Sequence, residues 1–391
     1  MTRFGVLAIV AGVAAILVGR TFGVIELYVI GAGFLAAVAV GALFVAARLP
    51  RVTATRWIHP TVLVAGETGR VDLEVRHVGR VRSTRFTLHE RVRRPFVGDH
   101  TAELAVEPMS GGASAVAGYQ LPTTTRGVVE LGPVRAEVRD PLGLLRRGRL
   151  VAGTDRVTVA PRTHHLEVPQ LGSGPLGRHL LAQARRLGTG EFHSLREYAD
   201  GDEPRSIHWR ASARSDKLLV KQHSVEGLRR MLVVLDADAA SYADAAAFER
   251  AIVAAASLVR SATDAALVTR FVTGGLDLRG PDVAVETLRA LAALSPSEDP
   301  LPTLDRDPGE GVGLLVVVSG TRRGSAIRAA RAVVDPTLAT ITVTTDESAA
   351  RPIGAAARTE DEFLATWASL VGRGAPARAH LAAAGTEMGV G

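Results

Sequence analysis

The chain contains no cysteine among its 391 residues. Disulfides, thiolate metal sites and cysteine nucleophiles are therefore excluded, although the compartment is left open. Lysine is nearly absent as well: only Lys217 and Lys221 interrupt an otherwise all-arginine set of bases. Lys and Arg together number 46 against 40 Asp and Glu, a formal net charge of +6. Aromatic residues make up 4% of the chain while hydrophobic residues make up 47%, so the apolar mass is Ala, Val and Leu. There is no GxxxxGK[ST] string, no HExxH, no GxSxG, and no GxGxxG after the first strand of the C-terminal region. Nucleotide hydrolysis, zinc-protease, α/β-hydrolase and dinucleotide redox chemistry thus lack their local signatures. The basic balance alone would suit phosphate neutralisation. No recognition motif accompanies it, and arginine usage with positive charge beside a membrane accounts for it, so nucleic acid is not the expected partner.

What the chain does contain is segregated. Residues 4–19 (FGVLAIVAGVAAILVG) and 27–47 (LYVIGAGFLAAVAVGALFVAA) carry no charge and are followed by Arg20 and Arg48. A helix of about 20 residues crosses about 30 Å of hydrocarbon. The second run meets that length, and the first is extended by Arg3 and Arg20, which can snorkel to the interfaces. A signal peptide would account for the first run alone, but the second follows at once without a small-residue cleavage site. A two-helix transmembrane hairpin over 1–50 is therefore predicted. The connection carries Arg20 and Glu26, and the outer flanks carry Arg3, Arg48, Arg51 and Arg56. The positive-inside bias then places both ends and the soluble remainder on the cytoplasmic side of the cell (inner) membrane. Neither run contains an ionisable residue, so the hairpin is an anchor rather than an ion path.

Residues 51–162 change to period-two alternation. VDLEVRHV places Val71, Leu73 and Val75 on one face and Asp72, Glu74 and Arg76 on the other. TRFTLHERV, AELAVEP, GVVELGPVRAEVRD and RVTVAP continue the pattern, punctuated by glycines at turn-like intervals. This predicts a β-sandwich-like middle domain, with Arg91, Arg93 and Arg94 facing either lipid headgroups or solvent. Residues 229–372 instead alternate short apolar strands (MLVVLDAD, ALVTRFVT, GLLVVVSG, LATITVT) with helices, the last opening on a Thr359/Glu362 capping box. Four such units predict a C-terminal α/β domain built on a doubly wound, Rossmann-like parallel sheet. The Ala- and Gly-rich tail, 373–391, is expected to be disordered.

In such sheets ligands collect at the carboxyl ends of the strands. Asp236 falls there, followed by Asp238, Ser241 and Asp244 in LDADAASYAD. Oxygens at that spacing suit a hard cation such as magnesium; alternatively, Asp238, Ser241 or Asp244 caps the helix that follows.

Between the two domains, 163–228 is a linker that carries EYADGDEPRSIHWRASARSDKLLVKQ (197–222). Phe192, Ser194, Arg196 and Tyr198 share one face of an extended segment, Gly201 supplies a turn, and Asp202 or Glu203 caps a short helix with Pro204 in its first turn. One interpretation is a metal-dependent hydrolase that uses Asp200, Asp202, Glu203 and His208. The other is structural: Asp202 and Glu197 pair with Arg196, Arg205 and Arg214 through bidentate guanidinium forks, with Trp209 filling a seam against the α/β domain. The spacing fits neither a calcium loop nor a metalloprotease motif, which favours the structural interpretation.

GTGEFHSLREYADGDEPRSIHWRASARSDKLLVKQ closely resembles the signature of the bacterial family called domain of unknown function 58. Upstream, TRGVVELGPVRAEVRDPLGLLRR and VTVAPR resemble that family's RG…LGP…DPLGL segment. The order of two spans, β region, signature and von Willebrand factor A-like α/β domain also resembles the family's, over nearly the whole chain. The resemblance implies signature positions at Glu191, Arg196, Tyr198, Gly201, Asp202, Arg205, Ile207, Trp209, Ala213 and Arg214, in structural or partner-binding roles. His208 stands where the family has an acid. The resemblance also implies that the von Willebrand-type DxSxS metal loop is degenerate, since it reads Asp236-Ala-Asp238-Ala-Ala240 and Ala240 offers no oxygen. No cofactor is expected beyond weak magnesium binding at Asp236, Asp238 and Ser241. The partners implied are the membrane, a MoxR-type AAA+ ATPase and a transglutaminase-like membrane protein. The implied role is a cytoplasm-facing scaffold or adaptor in assembly or maturation of other proteins or in envelope-related processes. The hydrolase and an arginine-rich nucleic-acid binder stand as alternatives.

Overall fold

The computed structural model describes residues 1–94, 98–187, 191–198, 207–215, 217–224, 228–298, 312–332, 338–347 and 354–372. The predicted tail, 373–391, lies outside the described residues. The chain divides into two compact units, Met1–Ala160 and Pro161–Gly391.

In the first unit the apolar runs form α1 (Arg3–Phe22) and α2 (Ile25–Ala47), joined through Gly23. They pack closely at one crossing, where a Cβ on Gly31 would lie 2.7 Å from the Gly12 carbonyl oxygen and 2.6 Å from Ile16 Cγ1. Small residues permit such approach between apolar helices. Only 22% and 17% of the most apolar stretches of the two helices are buried. Phe4, Leu7, Phe22, Ile25, Val29 and Leu43 all point outward, whereas a core helix would cover such a surface. Both helices are long and apolar enough to cross a membrane. The open end of the hairpin is tied to the rest of the unit. Thr2 caps α1 by accepting from the Gly5 N–H (3.1 Å), and its hydroxyl donates to the Gly143 carbonyl (2.7 Å).

Strands β1 (Val52–His59), β2 (Leu63–Val64), β3 (Thr68–His77), β4 (Phe86–Arg93), β5 (His100–Val106), β6 (Ser114–Pro122), β7 (Gly127–Arg139), β8 (Arg146–Ala152) and β9 (Asp155–Ala160) follow. They form a β1-β3-β6 sheet and a β2-β9-β7-β4-β5 sheet, with β8 also paired to β7. Val71, Leu73 and Val75 of β3 are fully buried, as their alternation predicts. Leu73 and Val75 share one core with Phe86 and Leu88 of β4 and Val134 and Ala136 of β7, so the two sheets face each other across it. One expectation needs correction here. Arg56 is not a flanking charge: its side chain is buried, donates to Glu90 (Nε to Oε1, 2.7 Å) and pairs with Asp155. Glu90 is itself fully buried, so the pair satisfies charges that neither could carry alone. Arg91 and Arg93 are exposed, in keeping with the solvent-facing alternative, and sit 3.8 and 3.7 Å from the exposed Asp99.

The second unit begins with α3 (Gly174–Leu187), inside the segment read as a linker, yet Leu176, Leu180 and Ala184 are buried in the core of the C-terminal sheet. β10 (Glu191–Glu197) and β11 (Leu219–Ser224) pair antiparallel around the short α4 (Trp209–Ser212). The main sheet contains β12 (Leu228–Leu235), β13 (Val268–Thr273), β14 (Leu276–Arg279), β15 (Val312–Ser319), β16 (Leu338–Thr344) and β17 (Gly354–Ala356), in the order β14-β13-β12-β15-β16-β17. All neighbours are parallel except β13 and β14. The helices are α5 (Ala245–Asp264), α6 (Val283–Ala293), α7 (Ser325–Ala332) and α8 (Glu360–Val371). Met231, Val233 and Leu235 face α3, α5 and α8, while Leu232 and Val234 face α7. Burial on both faces explains the unbroken apolar run of β12.

Candidate functional site

From β12 the chain proceeds outward to β13 on one side and later to β15 on the other. The strand order therefore reverses between β12 and β15, the position at which doubly wound sheets bind ligands beyond the carboxyl ends of their strands. Asp236 follows β12 at that point and is 0% exposed. Its Oδ1 accepts from the Ser325 hydroxyl (2.7 Å) and the Asp238 N–H (3.2 Å). Its Oδ2 accepts from the Ser319 hydroxyl (2.9 Å) and the Ala326 N–H (3.2 Å). A carboxylate offers about four lone-pair positions, and here all are filled by donors of the chain itself. Ser319 ends β15, and Ser325 and Ala326 open α7, whose first turn has no acid of its own. Asp236 thus joins three elements and supplies the negative charge that a helix N-terminus favours. Gly324 makes the approach possible: a Cβ there would overlap Ser319 Oγ and Asp236 Oδ2.

The other predicted site residues surround this latch as caps. Asp238 Oδ1 accepts from the Ala240 N–H (2.9 Å), Asp244 accepts from the Ala247 N–H (2.7 Å) at the start of α5, and Ser241 Oγ accepts from the Ser325 N–H (3.4 Å). The Tyr242 hydroxyl donates to the Asp236 carbonyl (2.5 Å). Burial first, and then the charges of Asp236, Asp346 and Asp238, push that phenol well above its ordinary pKa, so it remains a neutral donor. Asp346 accepts from the Ala243 N–H (2.9 Å). Among the described residues, no group of three or more His, Asp or Glu side chains is placed to hold a metal ion. Ser325, Gly324, Tyr242 and Asp346 were missed from the sequence. The signal for the first two was two serines, Ser319 and Ser325, bracketing two glycines between a strand and a helix.

The signature segment presents a different geometry. The Tyr198 N–H donates to the Leu218 carbonyl and the His208 N–H to the Leu219 carbonyl, both at 2.8 Å. Ile207 is buried. His208 caps α4: its Nδ1 accepts from the Ala211 N–H at 3.1 Å. Ala213 closes that turn, and the Arg214 N–H donates to the Ala211 carbonyl (3.0 Å). Glu197 makes an exposed ion pair with Lys217 (2.9 Å). Trp209 is 65% exposed, which overturns its expected place in a seam. Glu191 and Arg196 lie in β10. Asp200, Gly201, Asp202, Glu203 and Arg205 lie outside the described residues. One further string, GSGPLG at 172–177, has dinucleotide-fingerprint spacing. It follows a segment that is not a strand, and a Cβ on Gly177 would overlap the Gln170 carbonyl oxygen, so packing accounts for it.

Residues 194–267 match the family model described as protein of unknown function DUF58. The match supports the DUF58 family for this chain. It runs from the signature through β12 and the Asp236 loop to the end of α5. No curated protein matches the chain. Among solved structures, Pseudomonas fluorescens alkylpurine DNA glycosylase AlkC bound to DNA containing an abasic site analog aligns at 12% identity, covering 31% of this chain and 33% of that one, with a TM-score of 0.23. A Pyrococcus furiosus CARDB domain in complex with di-metal ions aligns at 13% identity over 29% of this chain and 97% of that one, with a TM-score of 0.21. Listeria innocua β-glucosidase in complex with isofagomine aligns at 11% identity over 28% of this chain and 16% of that one, with a TM-score of 0.19. The chain thus spans a third of the glycosylase structure, and alignments of this score establish no shared function.

Proposed function

We propose that the chain is a membrane-anchored scaffold or adaptor with its soluble part in the cytoplasm. Its C-terminal unit would serve as a von Willebrand factor A-like platform for a protein partner. One observation carries this reading: at the reversal of strand order, where an α/β enzyme keeps an acid available for its ligand, all acceptor positions of Asp236 are taken up within the chain, two of them by the first turn of α7. Magnesium is then expected to bind weakly or not at all. The doubly wound order of the sheet supports the platform, the outward apolar surface of α1 and α2 supports the anchor, and Arg3, Arg48 and Arg51 support the cytoplasmic orientation. The family resemblance supplies the partner class, a MoxR-type AAA+ ATPase, and the setting, assembly or maturation of other proteins or envelope-related processes.

Exposed Trp209 is the proposed contact residue, because a large aromatic at the surface is a common interface anchor. The test is retention of a MoxR-type AAA+ ATPase on the detergent-solubilised full chain, with ATP, with ADP and without nucleotide. Retention should depend on nucleotide and weaken in Trp209→Ala without a change in melting temperature. Absence of retention in every nucleotide state would overturn the reading.

A further inference from the structure

In the first unit a cleft of about 680 Å³ opens where α2 runs out towards β1. Arg48, Arg51, Arg80 and Arg82 line it, and His77 backs it. All four arginines are exposed, and among the described residues none is ion-paired with a carboxylate. Several other arginines of this unit are matched: Arg56 by Glu90, Arg70 by Asp72, Arg85 by Glu107, and Arg91 and Arg93 by Asp99. His77 is 3% exposed, and its Nδ1 has no hydrogen-bond partner. The carboxyl end of α2 contributes the opposing sign, but a helix terminus is worth only about half a charge. Four guanidinium groups around one concavity repel each other until an anion joins them, and their planar forks suit phosphate oxygens.

Position identifies the carrier of that phosphate. The cleft begins at Ala47, the last residue of α2, and the preceding turns expose Val40 and Leu43. A ligand that matches both features has an anionic phosphate at one end and hydrocarbon at the other. We propose that this cleft binds the headgroup of an anionic phospholipid, whose acyl chains lie along α2. Basic groups next to a span are drawn to anionic leaflets in general; the specific claim is a formed site with four named arginines. It rests on the reading of α1 and α2 as a membrane anchor.

The absence of cysteine makes a clean test available. Val81 lines the cleft and Val29 lies on the outward surface of α2. Full chains carrying Val81→Cys or Val29→Cys, labelled with an environment-sensitive nitrobenzoxadiazole dye, are reconstituted into vesicles. One set is phosphatidylcholine alone and the other an equimolar mixture with phosphatidylglycerol. The Val29 label should report hydrocarbon in both sets. The Val81 label should shift to the blue only with phosphatidylglycerol, and the shift should be lost when Arg48, Arg51, Arg80 and Arg82 are all changed to Gln. A Val81 label indifferent to lipid while the Val29 label reports hydrocarbon would overturn the site and leave the anchor standing. A Val29 label in water would overturn the anchor itself. Reversal of the Val81 shift by inorganic phosphate, but not by chloride at equal ionic strength, would reduce the cleft to a free-anion site and overturn its assignment to lipid.

Discussion

Changing Asp236 to Asn tests the latch with almost no change of shape. Each carboxylate oxygen accepts one hydroxyl and one backbone N–H. The amide group of asparagine replaces one of those oxygens with a donor. The serine on that side can rotate its hydroxyl and accept, but a backbone N–H cannot. Whichever way the amide turns, the N–H of either Asp238 or Ala326 faces another donor in a buried site. A hydrogen bond to a charged group contributes about 1.5–3 kcal/mol, and an orphaned buried donor costs about 1–3 kcal/mol. Together they predict a loss on the order of 3 kcal/mol after partial relaxation. In a unit of this size each kcal/mol moves the melting midpoint by about 2–4 °C, so a fall of roughly 10 °C is expected. The reporter is already in place: Trp367 is buried and donates to the Glu167 carbonyl (2.9 Å), while Trp57 and Trp209 are exposed. Intrinsic fluorescence of the full chain in detergent therefore follows the second unit. A midpoint within about 2 °C of the unaltered chain would refute the latch.

Three further outcomes follow from the same geometry. Gly324→Ala should lower the Trp367 midpoint by an amount comparable to other overpacked cores, about 1–3 kcal/mol, because its Cβ would overlap Asp236 and Ser319. Asp277 is held well below its ordinary value near 3.8, first by hydrogen bonds from Arg270 and then from Arg279, against a smaller opposing effect of burial. A depressed folded pKa contributes stability that is fully present above the unfolded value and is lost as the pH falls through the folded one, so the gap in midpoint between the unaltered chain and Asp277→Asn should be full near neutrality and begin to narrow only below about pH 4. His208→Ala should speed amide exchange at Ala211 and lower stability by about 0.5–2 kcal/mol through loss of a cap, whereas His208→Asn, a good cap, should restore both. Equal effects of the two substitutions would remove the capping role.

How much of this was legible depended on the range of the interactions involved. The alternation of VDLEVRHV gave the buried face of β3 directly, because a half-buried strand has period two. The Thr359 cap of α8 was equally local, although Glu362 reaches the Arg358 N–H rather than that of Thr359. β14 was missed because LDLR is short and polar; its signal was the two-glycine turn Gly274–Gly275 in front of it. β17, only Gly354–Ala356, has small side chains and no alternation to detect. α3 was legible in principle, since Leu176, Leu180 and Ala184 recur every four residues. Arg56 and Glu90 were not, because nothing in either strand says that the two charged positions meet inside the sandwich. Trp209 failed in the opposite direction, as an apolar side chain that is left outside.

The Asp236 site shows the limit most clearly, and it yields one more test. Strand order placed Asp236 at the carboxyl end of β12, but its serine partners lie 83 and 89 residues further along the chain. Residue types alone could not distinguish oxygens that share a cation from oxygens that bond to each other. The two cases differ in how they couple. If the Ser325 hydroxyl acts by donating to Asp236, removing either group removes the same bond, and the double variant Asp236→Asn/Ser325→Ala should cost less than the sum of its singles. Contacting polar groups typically couple by about 0.5–3 kcal/mol. Two ligands of a shared cation would show such coupling only while the cation is bound. The cycle should therefore be measured by the Trp367 midpoint in magnesium and again in chelator. Equal coupling in both buffers is expected of the latch, while coupling that appears only with magnesium would return Asp236 to the metal-site reading and would undercut the platform proposed for this unit.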